Sequence, residues 1–140
     1  MSIQIFYDNI DFRIKNWRNI KELVEKVISE EDKISGDLNF ILTNDTILKE
    51  INVQFLKHNY YTDVISFDYC ENNIIAGEIY ISIDRVKRNA KNYKVSYRVE
   101  LIRVIIHGVL HLCGYDDSTA IKKNMMRRLE NYWLTVYGEI

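Results

Sequence analysis

A mixed α/β domain of the α+β kind, with one small β-sheet of about four strands and helices around it, is predicted by three features of the sequence. Short β-branched and aromatic runs alternate with helical periodicity over the first 83 residues, and the remainder is wholly helical. The chain has 140 residues, which fits one domain spanning 1–140. A domain of this length buries about two-thirds of its unfolded surface, enough for a core without disulfide staples.

The first strand is IQIFY (3–7), short and apolar. Trp17, Ile20, Leu23, Val24, Val27 and Ile28 recur at helical spacing, which predicts a helix over 17–31 with Gly36 in the turn beyond it. Leu38, Phe40 and Leu42 alternate through DLNFILT (37–43), a second strand. Asn44 is placed to cap a helix over 45–56. DVISFDY (63–69) and GEIYISI (77–83) are β-branched and aromatic, and predict the third and fourth strands. A helix over 84–94 follows, acidic in its first turn and basic in its last, as the helix dipole favours. Ser96 can cap a helix over 97–113 that ends at Gly114. The last helix, 120–137, carries Ile121, Met125, Leu129, Tyr132, Trp133 and Val136 mostly on one face.

Composition narrows the function classes. Hydrophobic residues make up 47% and charged residues 28%, ordinary for a globular protein. With 19 basic and 20 acidic residues the net charge is −1, so nucleic acid would have to be met by a local basic groove. Cys70 and Cys113 are too few for a disulfide framework. The N-terminal stretch has no apolar run preceded by basic residues, and no segment reaches 18 uninterrupted apolar residues. The expectation is a reduced, cytoplasmic protein without a membrane partner.

Chemistry concentrates in HGVLHLCGYDD (107–117). Positions four apart lie one above the other on a helix, so His107 and His111 can aim at one point. Gly114 can adopt the left-handed turn that ends a helix, and Asp117 arrives three residues later as a third ligand. The frame H-x-x-x-H-x-x-G-x-x-D has the spacing of the extended zincin signature, with a carboxylate where histidine is usual. Two histidines at this spacing also occur as packed core residues, and Asp117 could instead cap the last helix beside Ser118 and Thr119. Gly108 argues against a peptidase, because the glutamate that takes the proton from metal-bound water in H-E-x-x-H enzymes is missing. A glycine inside a buried helix more often marks close packing or the close approach of a ligand.

Together these residues resemble the YbeY-type endoribonucleases, or ribosomal RNA maturation factors. That family's H-G-x-L-H-L-x-G-Y-D-H stands here as His107 to Asp116, with a departure at Asp117. Its T-D-V-L-S-F appears as Thr62 to Phe67, and its G-D-I-x-I-S as Gly77 to Ser82. The order and spacing of all three match over essentially the whole chain. The resemblance implies a metal-dependent endoribonuclease specific for single-stranded RNA. It implies a role in small-subunit ribosomal RNA 3′ maturation and ribosome quality control, with ribosome-associated proteins as further partners. It also implies one Zn²⁺ per chain, held at the end of a central helix by His107, His111 and, at the third position, Asp117. The second arginine of the family's N-R-x-Y-R motif, thought to help in catalysis, corresponds to Leu56. Lys57 and His58 next to it are candidates to replace that charge, or ordinary solvated loop residues.

Other roles stay open on the sequence alone. Arg103, one turn before His107, projects along the ligand face and is a candidate phosphate contact or a surface ion pair. Asp63 and Ser66 are candidates to orient a ligand. Cys113 points away from His111 and reads as packed. Tyr60, Tyr61 and Tyr69 can stack on bases. The general base is unassigned: it is water or His58, or there is no protein base and an RNA 2′-hydroxyl acts as the nucleophile. Two rival readings are a metal-dependent hydrolase of another substrate class, and a non-catalytic ribosome-associated module with a structural metal.

Overall fold

In the computed structural model, which describes residues 2–140, four strands form one mixed sheet in the order β1-β2-β4-β3. Strands β1 (Ile3–Tyr7), β2 (Ile34–Thr43) and β4 (Ile74–Ser82) run parallel, and β3 (Val64–Asp68) pairs antiparallel with β4 at one edge. Leu38, Phe40 and Leu42 of β2 and Ile79 and Ile81 of β4 are fully buried, as period-two alternation requires of a sheet with one core face. Residue Ser66 pairs with Ile79 and Phe67 with Glu78, so β3 is held in register beside the helix that carries the histidines.

Helix α1 (Trp17–Glu30) packs on this core face through Ile20, Leu23, Val24, Val27 and Ile28. Helix α2 (Asp45–Leu56) starts at Asn44, whose side chain accepts from Ile47 N at 2.9 Å. Helix α3 (Ile83–Tyr93) is capped by Ser82, which accepts from Arg85 N at 3.3 Å. Helix α4 (Tyr97–Leu112) is capped by Ser96, which accepts from Val99 N at 3.1 Å. Nearly every residue of α4 from Val99 to Leu112 is buried, the mark of a helix apolar all round and enclosed by its neighbours. It touches α1, α3, α5 (Ala120–Val136), β3 and β4.

Two expectations are corrected. Gly36 lies inside β2, not in a turn: a Cβ there would stand 2.7 Å from Ile74 Cγ2 and 3.0 Å from Ile75 O, so only glycine lets β2 pass β4 at this bulge. On α5 the apolar face formed by Ile121, Met125, Tyr132 and Val136 is turned to solvent. Met126, Glu130, Trp133 and Leu134 face the core. The helix is rotated so that a buried glutamate, not the wider apolar stripe, reaches α4.

Among the described residues no helix is long and apolar enough to cross a membrane.

Candidate metal centre

Helix α4 ends in a Schellman turn directly after its second histidine. Gly114 N donates to His111 O and Tyr115 N to Leu110 O, both at 3.0 Å, with Gly114 at φ +112°. Asp116 closes the next bend by accepting from Ser118 N at 3.0 Å, Ser118 Oγ at 2.8 Å and Lys122 Nζ at 3.1 Å. Those bonds to Ser118, and then Lys122, hold its carboxyl down at about 2. The N-cap of α5 is Thr119, which accepts from Lys122 N at 3.1 Å. Turn and cap are thus supplied by Asp116 and Thr119, and Asp117 faces the histidines.

Asp117 Oδ2 lies 3.7 Å from His107 Nε2, and Asp117 Oδ1 lies 3.8 Å from His111 Nε2. One ligand atom from each of the three residues falls within 4.8 Å of the others. Ligand atoms of a tetrahedral Zn²⁺ with bonds of about 2.0 Å stand about 3.3 Å apart. Side-chain movements of up to about 1 Å at each ligand atom close the difference. Two imidazoles and a carboxylate are suitable donors, so this group can hold a metal ion.

Sequence reasoning missed Glu130. Its Oε2 lies 2.9 Å from His107 Nδ1. A carboxylate can only accept, so Nδ1 carries the proton and Nε2 turns its lone pair to the ion position. Burial alone would disfavour the imidazolium, but the bond to Glu130 and its charge, with Asp117 and Asp63, raise the His107 pKa. The available signal was a charged residue on an otherwise apolar face, between Met126 and Leu134.

Arg103 is neither at the surface nor open to solvent. It is buried, with Nη1 2.7 Å from Asn131 Oδ1 and 3.5 Å from Glu130 Oε1, and Nε 3.7 Å from Glu100 Oε1. Its geometry braces Glu130. Asp63 and Ser66 both line the space around the triad, and burial raises the Asp63 carboxyl despite the opposing charge of His107. Asn89 Nδ2 donates to Asp63 Oδ2 at 3.4 Å.

Two openings meet at the triad. A groove of about 410 Å³ runs along the edge strand β3, between Leu56, Ser66 and Asp68 on one side and His111 and Leu112 on the other. A cavity of about 200 Å³ lies toward α3 and α5, with Glu100, Arg103 and Glu130 in its lining. Asp63, Val64, His107 and Asp117 border both.

Leu56 stands in the groove wall, while Lys57 and His58 do not line it. Lys57 ends α2 in the left-handed conformation, and His58 stacks on Tyr60 with Nδ1 3.0 Å from its hydroxyl. Tyr60, Tyr61 and Tyr69 are exposed; Tyr61 is flanked by Lys49 and Arg85, and the Tyr69 hydroxyl donates to Glu78 at 3.0 Å. Cys113 packs against the core, and burial pushes its thiol up to about 12, an inert thiol rather than a ligand.

Comparison with known proteins adds to this geometry. A family model described as endoribonuclease YbeY matches residues 4–138. An endoribonuclease YbeY of Flavobacterium psychrophilum is 46% identical over 132 residues, covering 94% of both chains. One from Parabacteroides distasonis is 37% identical over 139 residues, covering 99% of this chain and 98% of the relative. A solution structure of a Thermotoga maritima protein superposes with a TM-score of 0.68 at 30% identity, over 99% of this chain and 91% of that one. A match of this extent, on a fold and a His-His-Asp group already in place, shows that the chain belongs to the endoribonuclease YbeY family.

Proposed function

We propose that residues 1–140 form a single metal-dependent endoribonuclease domain that cuts single-stranded RNA. His107, His111 and Asp117 are the ligands of one Zn²⁺. The proposed setting is the cytoplasm, in 3′ maturation and quality control of small-subunit ribosomal RNA. The observation that carries this reading is the convergence of three protein ligands, with no fourth in the group among the described residues, where two solvent-open spaces meet. A structural site is closed by four protein ligands, whereas a catalytic one keeps a position open. That contrast favours an enzyme over a module with a structural metal.

When bound, such an ion supplies a Lewis acid for a phosphoryl oxygen and lowers the pKa of a water molecule. The chain does the rest. Glu130 keeps the Nδ1 proton of His107 and Arg103 keeps Glu130 in place. The groove beside β3 mixes apolar Leu56 and Leu112 with polar Thr62, Ser66 and Asp68, a lining that suits an unstacked strand better than a duplex backbone. His58 is outside the groove, so activation is left to water as the base, or to a route in which the RNA 2′-hydroxyl is itself the nucleophile and no protein base takes part.

Peptide hydrolysis by the zincin route is disfavoured at Gly108, where a Cβ would meet Ile79 Cγ2 at 3.0 Å and Cδ1 at 3.1 Å. Zn²⁺-loaded chain incubated with labelled single-stranded RNA, duplex RNA and casein tests the reading. Cleavage of single-stranded RNA alone, abolished in His107→Ala, is expected. Casein cleavage that depends on His107 would overturn it.

A further inference from the structure

The cavity on the α3–α5 side of His107 has features that the metal site does not use. Glu100, 3% exposed, contributes to its lining, and one of its carboxyl oxygens has no hydrogen-bond partner. A buried acceptor left in this condition costs about 1–3 kcal/mol, which packing alone does not repay. Its nearest cation, Arg103, stands 3.7 Å away and is already engaged by Asn131 and Glu130. Val104 and Met126 supply apolar wall on either side. Tyr93, 56% exposed, borders the cavity, with the Arg127 guanidinium 5.7 Å from its ring centroid.

Charge decides what such a space admits. Asp63, Glu100, Asp117 and Glu130 outnumber Arg103, Lys123 and Arg127, so the lining as a whole offers no excess positive charge for a phosphate. The lining is mostly polar, with Val104 and Met126 in its small apolar part. The Tyr93 ring with a guanidinium beside it offers a stacking surface, and the unsatisfied carboxyl inside offers a partner for the Watson–Crick edge of an unstacked base. The cavity and the β3 groove share His107 and Asp117. A strand lying across the ion position therefore puts neighbouring nucleotides on its two sides.

We infer that this cavity is a nucleobase pocket, taking the base next to the cleaved bond and preferring one with an exocyclic amino group that donates to Glu100. The inference rests on the ribonuclease reading above. Cytosine, adenine and guanine carry such a group, and uracil presents a carbonyl oxygen in its place. Burial raises the Glu100 carboxyl to about 7, so near neutrality it has both an accepting and a donating form, and the accepting form is the one an amino group selects.

Free nucleosides test this without any phosphodiester to cut. Isotope-labelled, Zn²⁺-loaded chain is titrated with cytidine and with uridine, and backbone amide shifts are followed by NMR. Cytidine should shift the amides around Tyr93 and Glu100 and bind about tenfold more tightly than uridine, the discrimination of one good base contact. Glu100→Leu should bring the two nucleosides to equal affinity. Tyr93→Ala, at an exposed position, should weaken both alike and serves if the Glu100 variant does not fold. Equal affinities in the wild-type chain, shifts that avoid this cavity, or discrimination that survives in Glu100→Leu would overturn the pocket. A chain that cuts single-stranded RNA yet treats the nucleosides alike loses the pocket only. One that discriminates them yet cuts no RNA loses the ribonuclease reading only.

Discussion

Glu130 decides which nitrogen of His107 faces the ion position, and it does so from another helix, 23 residues away in sequence. His107, His111 and Asp117 could be found because helical spacing and a glycine turn are local properties of eleven consecutive residues. Glu130 belongs to a contact between α4 and α5, which no local spacing encodes. Leu56 was legible as a departure from the family motif, but its place in the groove wall was not, nor was the exclusion of Lys57 and His58 from it. Glu130→Gln keeps an acceptor for the Nδ1 proton and removes the charge that raises the imidazole's basicity. Zn²⁺ affinity should fall about 10- to 100-fold, as for other partners behind a metal-bound histidine. Competition against a chromophoric chelator measures it. Affinity equal to the wild type would make the contact one of packing alone.

At the scale of elements, the helices were readable almost to the residue, because periodicity and caps agree: Asn44, Ser96 and Gly114 each stand at the end they predict, whereas β2 and β4 each begin three residues before the expected start. Rotation of α5 was not readable. Its exposed stripe of Ile121, Met125, Tyr132 and Val136 holds more apolar residues than the core face of Met126, Glu130, Trp133 and Leu134, so hydrophobic periodicity alone chooses the wrong side. Packing of α4 on β4 is the element contact that positions the histidines, and Gly108 sits in it. Alanine at 108 would gain about 1 kcal/mol of helix propensity. Against this, its Cβ would press on Ile79, a residue with no exposed surface into which to move. Overpacking costs about 1–3 kcal/mol, so Gly108→Ala should be destabilising by roughly 1 kcal/mol net, read from urea unfolding of the metal-free chain. A stabilised variant would mean that Ile79 yields and that the glycine serves something other than packing.

For the molecule as a whole, fold class, the single mixed sheet and the convergence of His107, His111 and Asp117 into a group that could hold a metal were legible because strands, helices and motif all agree in sequence order. The burial of Glu100 and Glu130 was not, since it depends on how α4 and α5 pack rather than on local spacing. These carboxylates give the protein a pH dependence that its net charge of −1 does not suggest. Glu100 faces Arg103 and Arg127, which favour its charged form, and Asp63 and Glu130, which oppose it; burial outweighs them and raises the carboxyl from 4.5 to about 7. The native state therefore holds this proton where the unfolded chain has released it. Stability contributed by the protonated acid is fully present below about pH 4.5, and is lost as pH rises through 7. A shift of this size corresponds to a loss on the order of 3 kcal/mol at alkaline pH. Glu100→Gln cannot ionise and escapes it. Urea unfolding of the metal-free chains should show the variant close to wild type at pH 5 and more stable at pH 8, with the gap opening between them. A gap independent of pH would show that Glu100 is already ionised in the native state, held so by Arg103.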